Sequence, residues 1–403
     1  MMAQTDFRAA AYPCRVYSGN KALALLPKEI GRLQAKRVFV VCGNSVARNT
    51  SLIRDIEILL GDRYAGVFDN LRRNAPLDSV VAAAQAATAA RADCLVAVGA
   101  GTLAMAARTV AIFMAEKGKP QELMTQYADD RPAYSPRLTS PKVPIINVLT
   151  APTNAQNRAG SAIRDPQVGH RMEYFDPKTR PAAVFWDSDA LRTAPASLSI
   201  SSGLTVFWWA LMAIGSVSST NPLAQADRRQ AFDLALTSLE RMGDPEDAEA
   251  RINMCIAAFL HNRDEDDGGR PFDSNWITRV CYALGSGIFT RDDHLDPGRI
   301  YVALTGPAIR HFGARDLKVL ENMCAALGKW KTGQSPMSAP LAEEIVTSFF
   351  ADSGHSYRLR DFGIEKSLLP EFRDFSLRNF NADRDRQLLG EIPALDAVLS
   401  DAW

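Results

Sequence analysis

The sequence predicts a two-part fold, an α/β N-terminal domain with a parallel sheet followed by an all-α C-terminal domain. Three observations lead to this prediction. At 403 residues the chain is long enough for two domains. Short apolar runs alternate with helical patterns up to residue 152, which is typical of βαβ units. From Pro195 onward the pattern is mainly helical.

The sequence of the N-terminal half predicts strands and helices that alternate. Strands and helices are separated at the spacing that parallel sheets require, and the run CLVAVGAG has the continuous apolar character of a strand buried on both faces. The predicted helices are 22–33, 51–61, 77–91 and 102–118, the strands are 38–42, 64–69, 94–101 and 144–152, and the polar, Pro-rich segment 119–143 is a loop.

The C-terminal half predicts a helical domain. We place the boundary near residues 187–198, so that a domain of residues 1–190 precedes one of residues 191–403. The predicted helices of this part are 199–215, 224–242, 246–261, 274–288, 298–312, 315–327 and 339–350.

Composition excludes several classes of partner. Lys+Arg and Asp+Glu number 46 each, so the chain has no net charge to attract nucleic acid or an anionic membrane. The six cysteines form no CxxC pair, which argues against a zinc knuckle or a redox motif, and Cys42 and Cys94 fall in apolar runs as buried free thiols. With no signal-type apolar core near the N-terminus, a cytoplasmic protein is expected.

One apolar stretch raises the question of a membrane helix. Residues 203–216 read GLTVFWWALMAIGS and carry no charge. The run 203–214 is shorter than the roughly 20 residues that span a bilayer, so we predict a buried helix and no membrane partner.

The strongest local signal for ligand binding is VGAGT, residues 98–102. Gly99, Ala100, Gly101 and Thr102 join a buried strand to a helix, where free N–H groups favour an anion such as a pyrophosphate. A plain strand–helix turn is the alternative, because GxG alone is a weak motif. The first predicted strand ends at Gly43 and Asn44 without a carboxylate, so NADP is expected at least as much as NAD.

The order of these pieces resembles the iron-containing alcohol dehydrogenase family, over roughly residues 12–330. YSGNKALALLPKEIGRLQAKRVFVVCG is similar to the family's opening strand–helix–strand, and VGAGTLAMAART to its phosphate loop and helix, with Met105 and Arg108 in place of an acid and a lysine. VPIINVLTAPTNAQNRAGSAIRD is similar to its second nucleotide segment, where Thr153 and Asn154 match a threonine pair. The resemblance implies a Rossmann-like dinucleotide domain, a helical domain and a cofactor cleft between them.

The resemblance also implies a place for a divalent metal, held by one Asp and three His. At the matching positions this chain has Thr205, Trp209, Ala283 and Pro297. Because a metal needs three or more N, O or S ligands, we predict that no metal binds there. Thr205 and Trp209 are four residues apart, so the resemblance implies a former metal-site helix on which Trp209 fills the old site.

Without a metal, a carbonyl reductase needs another group to polarise the substrate oxygen. Arg158 and His294 are the catalytic candidates, because the resemblance places Arg158 near the cofactor and His294 just before the fourth ligand position. A phosphate clamp or surface ion pair is the alternative for Arg158, and a solvated loop for His294. His170 and His261 are expected on the surface, in a turn and an acidic loop respectively.

Two functions remain open at this point. The first is a metal-independent NAD(P)-dependent oxidoreductase acting on a small alcohol or carbonyl compound. The second is a divergent member without hydride transfer, with a binding role or another reaction in the same cleft. The resemblance alone implies a homo-oligomer.

Overall fold

The structure is a computed structural model that describes residues 5–128, 131–291, 294–331 and 336–403. Its sheet has six parallel strands in the order β1-β8-β5-β4-β2-β3, and β6 and β7 form a separate antiparallel hairpin. The strands are β1 Arg15–Gly19, β2 Val38–Cys42, β3 Tyr64–Phe68, β4 Cys94–Gly99, β5 Ile145–Leu149, β6 Gly160–Ile163, β7 Met172–Phe175 and β8 Ala183–Asp187.

Helices connect the strands of the sheet and form the whole second part of the chain. Those up to β8 are α1 Leu26–Arg32, α2 Asn44–Asn49, α3 Leu52–Leu60, α4 Leu77–Ala89, α5 Gly101–Ala115 and α6 Pro120–Leu123. Those after β8 are α7 Ser188–Arg192, α8 Ala196–Gly215, α9 Pro222–Ser238, α10 Ala248–Asp266, α11 Trp276–Arg291, α12 Pro297–Phe312, α13 Leu317–Ala326, α14 Ala339–Asp352, α15 Leu369–Ser376, α16 Phe380–Asp383 and α17 Ile392–Ala402.

The predicted fold class is confirmed. The four predicted strands are β2, β3, β4 and β5, and every residue of β2, β4 and β5 is buried, as their continuous apolar sequences indicate. Cys42 and Cys94 are buried free thiols within these strands, as predicted. Since β8 ends at Asp187 and α8 begins at Ala196, the change of architecture falls in the expected region, while the domain boundary itself stays a prediction.

Several elements differ from the sequence prediction. The hairpin β6–β7, the edge strand β1 and the strand β8 were not predicted from periodicity. Part of the predicted loop 119–143 is the short helix α6, and residues 129–130 of that loop lie outside the described part of the chain. The region after residue 352 was left without elements, whereas it contains α15, α16 and α17.

Helix α8 is the central helix of the C-terminal part. From Gly203 to Gly215 all but Thr205 are buried, in contact with α9, α10, α12 and α13. A Cβ on Gly203 would lie 2.7 Å from Met242 Cγ, and one on Gly215 would lie 2.7 Å from Val319 Cγ1, so the two glycines allow close helix packing. The predicted buried helix is therefore present.

Helix α8 is longer than the apolar run 203–214, so the prediction that this segment is too short to span a membrane is wrong. Helix α8 begins seven residues before the apolar run, and its 20 residues are long and apolar enough to cross a bilayer by length and composition. However, 72% of its most apolar 18-residue window is buried inside the protein. Its burial among other helices, rather than a short length, identifies α8 as a core helix.

Two acidic side chains, Asp227 of α9 and Asp267 at the end of α10, interact with each other. Burial and the neighbouring Asp227 carboxyl raise the pKa of Asp267 to about 6, while Arg263 opposes the shift. A carboxyl whose pKa is raised by folding binds protons more tightly in the native state, so stability is lost as pH rises from 3.8 to about 6.

We therefore expect Asp267→Asn to raise the thermal midpoint at pH 7.5 and to raise it about half as much at pH 5. Solvent screening at this partly exposed position limits the gain to about 1 kcal/mol, or roughly 1–2 °C. Thermal unfolding of both proteins at the two pH values measures it. A gain of the same size at both pH values would contradict the assigned titration.

Candidate active-site cleft

A large cleft lies between the carboxyl edge of the sheet and the helical part of the chain. Its volume is about 1370 Å³, which is large enough for a dinucleotide together with a small substrate. The predicted site residues that line it are Gly43, Asn44, Gly99, Ala100, Gly101, Thr102, Thr153, Asn154, Arg158, Thr205, Trp209, His294 and Pro297. Ala283 is fully buried and is not among the lining residues.

Sheet topology explains why the predicted nucleotide loops meet. The strand order runs outward from the β2–β4 pair in opposite directions, which makes this pair the topological switch point where α/β sheets bind ligands. Because Cys42 pairs with Val98, Gly43 and Gly99 leave the sheet side by side. The loop with Thr153 and Asn154 follows β5, the next strand along.

The VGAGT loop has the geometry of a close backbone approach. Gly99 has a φ of +152°, and a Cβ on it would lie 2.8 Å from Leu103 Cγ. A Cβ on Gly101 would lie 2.6 Å from Thr153 Oγ1, which in turn accepts a hydrogen bond from the Ala155 N–H. Gly101 opens the 15-residue helix α5. These residues fit the pyrophosphate of a dinucleotide, whose charge the helix N-terminus favours.

The four positions at which the resemblance implies metal ligands carry Thr205, Trp209, Ala283 and Pro297. The Thr205 hydroxyl donates to the Ser201 carbonyl within α8, at 2.9 Å. Trp209 has only an N–H donor, and alanine and proline side chains have none. Among the described residues, no three His, Cys, Asp or Glu side chains are grouped as a metal site would require. The residues present therefore do not fit a divalent metal.

Aromatic side chains occupy this part of the cleft. The Trp209 ring, 4% exposed, lies 5.3 Å from the Phe272 ring, 5.2 Å from Tyr282 and 5.1 Å from His261, measured between centroids. Tyr301 of α12 stacks on Trp208 at 4.3 Å, and Trp208 donates to Thr305. Trp209 thus lines the cleft within a packed group of rings.

Arg158 lies against this aromatic group. Its guanidinium is 4.1 Å from the centroid of the Phe272 ring, and its Nε donates to Asn262 Oδ1. Its Nη2 is buried and has no hydrogen-bond partner in the described part of the protein. Burial lowers the pKa of Arg158, whereas the nearby acids Glu265 and Asp264 oppose that shift. The alternative of a surface ion pair is therefore wrong.

The histidines are placed differently from the prediction in two cases. His261 is in α10 and 2% exposed, so the expected surface loop is wrong; burial lowers its pKa well below the usual value. His170, expected in a surface turn, is 8% exposed and contacts the Arg171 carbonyl at 2.8 Å. His294 is exposed and lines the cleft between α11 and α12.

Among the further arginines that line the cleft, Arg108, Arg171 and Arg180 were not assigned a catalytic or binding role from sequence. Arg108 of α5 is 1% exposed and donates to the Ala155 carbonyl at 2.6 Å. Arg171 of the loop before β7 donates to Ser286 at 3.3 Å, and Arg180 before β8 donates to Asp266 at 2.8 Å. Only Arg108 carried a sequence signal, since it is the one charged residue within the apolar run from Gly101 to Ala115.

Comparisons with known proteins agree with this arrangement of fold and cleft. Residues 13–188 match the iron-containing alcohol dehydrogenase family. Maleylacetate reductase 1 of Cupriavidus pinatubonensis is 25% identical over 390 residues, which cover 96% of this chain and 95% of the relative. The N-terminal part of this chain is thus similar to the iron-containing alcohol dehydrogenase family, and nearly its whole length is similar to a maleylacetate reductase.

Solved structures share the fold of this chain along its whole length. NADH-dependent butanol dehydrogenase A of Thermotoga maritima superposes with a TM-score of 0.83 at 15% identity, covering 100% of this chain and 99% of that one. Maleylacetate reductase of Rhizobium sp. strain MTP-10005 superposes with a TM-score of 0.72 at 19% identity, covering 99% of both chains. The order of an α/β part followed by a helical part is thus a fold that these solved structures share.

Proposed function

We propose that this protein is a metal-independent NAD(P)-dependent oxidoreductase that acts on a small alcohol or carbonyl compound in the cleft. The observation that carries the proposal is that one cleft contains both a glycine loop that suits a pyrophosphate and a buried guanidinium beside positions without metal ligands. Gly99 and Gly101 keep the backbone open to a pyrophosphate, and Arg158 presents a buried guanidinium in the same cleft. The names of the reductase and dehydrogenase relatives support the reaction class.

Arg158 is the group that polarises the substrate oxygen in place of a metal ion. A nicotinamide cofactor, when bound, supplies or accepts the hydride. The unpartnered Nη2 of Arg158 donates a hydrogen bond to the substrate oxygen and stabilises its negative charge, which is worth more in a desolvated site than in water. The packed rings of Trp209, Phe272 and Tyr282 exclude water from this end of the cleft. His294, at the exposed margin, is positioned to exchange a proton with solvent.

For the cofactor, we propose NADP at least as readily as NAD, bound by residues 43–44, 99–102 and 153–154. No carboxylate follows β2 at Gly43 and Asn44, so nothing there repels a 2′-phosphate, and Arg72 lines the cleft nearby. We further propose a cytoplasmic homo-oligomer whose partner in the cleft is a small molecule, with neither nucleic acid nor membrane as a partner.

Nucleotide binding is the experiment that tests this function. NADH and NADPH are titrated separately, following the quenching of tryptophan fluorescence and the nucleotide's own emission. We expect at least one to bind with a micromolar dissociation constant, after which a panel of aldehydes and ketones reveals turnover. Failure of both nucleotides to bind at millimolar concentration would overturn the oxidoreductase proposal and leave a protein without hydride transfer.

The metal-free site makes a separate prediction. After dialysis against Fe²⁺ or Zn²⁺ and removal of loosely bound ions, we expect metal analysis to find far less than a stoichiometric amount. We also expect turnover to resist EDTA, because the polarising group is a guanidinium. A stoichiometric, tightly held metal whose removal abolishes turnover would contradict this part of the proposal.

A further inference from the structure

The cleft contains a group of buried cationic nitrogens that the protein leaves without partners. In the described part of the chain, Arg108 Nε, Arg158 Nη2, and Arg180 Nε and Nη1 are buried and donate a hydrogen bond to no acceptor. All three arginines line the same cleft. An unpaired buried cation costs several kcal/mol, so such a group is retained where a ligand completes it.

Arg108 is the least compensated of the three. Its side chain is almost fully buried, and the charged groups that act on it are the two cations Arg158 and Arg180. Burial, reinforced by these neighbours, lowers the pKa of Arg108 to about 9. By contrast, Arg180 pairs with Asp266, and Arg158 has acids nearby. Together the three side chains form a positive region that lacks one or more negative charges.

Aromatic rings lie directly beside this positive region. Arg158 stacks on Phe272, and Phe272 contacts Trp209 and Tyr282 with centroids 5.3 and 5.1 Å apart. Phe289 and Phe380, both partly exposed, line the same cleft. Flat apolar ligands pack well against such rings, in offset or edge-to-face arrangements. The positive region, which suits an anionic group, is thus continuous with these rings, which we call the aromatic wall.

We propose that the substrate is an aromatic carboxylate that also carries the reacting carbonyl or alcohol group, bound by the arginine triad of Arg108, Arg158 and Arg180. Arg108 and Arg180 hold its carboxyl group, Arg158 faces the reacting oxygen, and its ring packs on the aromatic wall. The inference rests on the proposed function, because it names the substrate class of that cleft. A carboxylate accepts two parallel hydrogen bonds from a guanidinium, which uses the donors that the protein leaves free. The ring then packs against Trp209, Phe272 and Tyr282, which line the cleft.

Equilibrium binding without nucleotide tests this inference independently of catalysis. Benzoate, cyclohexanecarboxylate and benzamide are compared by isothermal titration calorimetry on the intact protein. Benzoate keeps both charge and ring, cyclohexanecarboxylate lacks the aromatic ring, and benzamide lacks the charge. We expect benzoate to bind at least about tenfold more tightly than either of the others, the size of a charged bidentate pair or a ring contact.

Variants connect the binding to the arginine triad. Arg108→Gln should weaken benzoate binding about tenfold or more and leave benzamide unchanged, while Arg241→Gln, which removes an exposed arginine outside the cleft, should alter neither. Arg180→Gln is the second variant, should Arg108→Gln unfold, and thermal unfolding checks both. Equal binding of benzoate and benzamide, equal binding of benzoate and cyclohexanecarboxylate, or no effect of either variant would overturn the inference. Since nucleotide is absent, these results stand apart from any failure of hydride transfer.

Discussion

Gly101→Val is expected to weaken NAD(P)H binding about 100-fold, because displacement of a binding loop by about 1 Å has effects of that order. A Cβ at this position lies 2.6 Å from Thr153 Oγ1, which is too close for two unbonded atoms. The valine therefore forces apart the loops after β4 and β5, which both line the nucleotide end of the cleft. Fluorescence titration of the variant with NADH and NADPH measures the loss.

A double-mutant cycle separates this clash from a general loss of stability. Gly101→Ala introduces only the Cβ, and Thr153→Ala removes the hydroxyl that it meets, leaving the next contact at 3.5 Å. We expect Gly101→Ala to lower affinity in the native background and to have a much smaller effect in the Thr153→Ala background. Gly390→Ala, where a Cβ meets nothing within 4 Å, is the neutral control. Equal effects in both backgrounds would contradict the role given to this contact.

The fold could be predicted where local patterns are strong. The strand β4 and the helix α5 were predicted because a fully buried strand reads as a continuous apolar run, and the glycines between them mark the turn. The hairpin β6–β7 has no such signal. Its strands are four residues long, and Thr109 of α5 contacts Ser161 of β6 at 2.9 Å, a long-range contact that no local pattern reveals.

Buried polar residues explain why the site was predicted only in part. His261 follows a helical stretch and precedes a run of charges, which indicated a loop, yet the helix α10 continues to Asp266. Asp264 of that run is buried because Arg228 of α9 pairs with it at 3.0 Å. Such pairing depends on tertiary contacts between helices. The charged sequence alone therefore led to the wrong prediction that His261 lies in a surface loop. The side chains at the four implied ligand positions, in contrast, can be identified from the sequence alone, and Trp209 is one of them.

The substrate end of the cleft depends most on Arg158, and Arg158→Gln should lower kcat about 100- to 1000-fold. This is the range seen when one donor that stabilises an oxyanion is removed. Glutamine retains a hydrogen-bond donor but loses the charge and the stacking on Phe272. Because Arg158 is outside the VGAGT loop, the dissociation constant of the nucleotide should change little. Steady-state kinetics and nucleotide titration on the same preparation measure both quantities.

Arg158 also has a structural contact, so its catalytic role requires a matched control. Asn262→Ala removes the acceptor of the Arg158 Nε hydrogen bond but keeps the guanidinium in the cleft. If the charge is what matters, Asn262→Ala loses less than about tenfold in kcat, the scale of one neutral hydrogen bond. Added guanidinium ion should then partly restore the activity of Arg158→Gln and have no such effect on Asn262→Ala. Equal losses in the two variants, without rescue, would mean that Arg158 only holds the loop against α10, and the polarising group would have to be another side chain of the cleft.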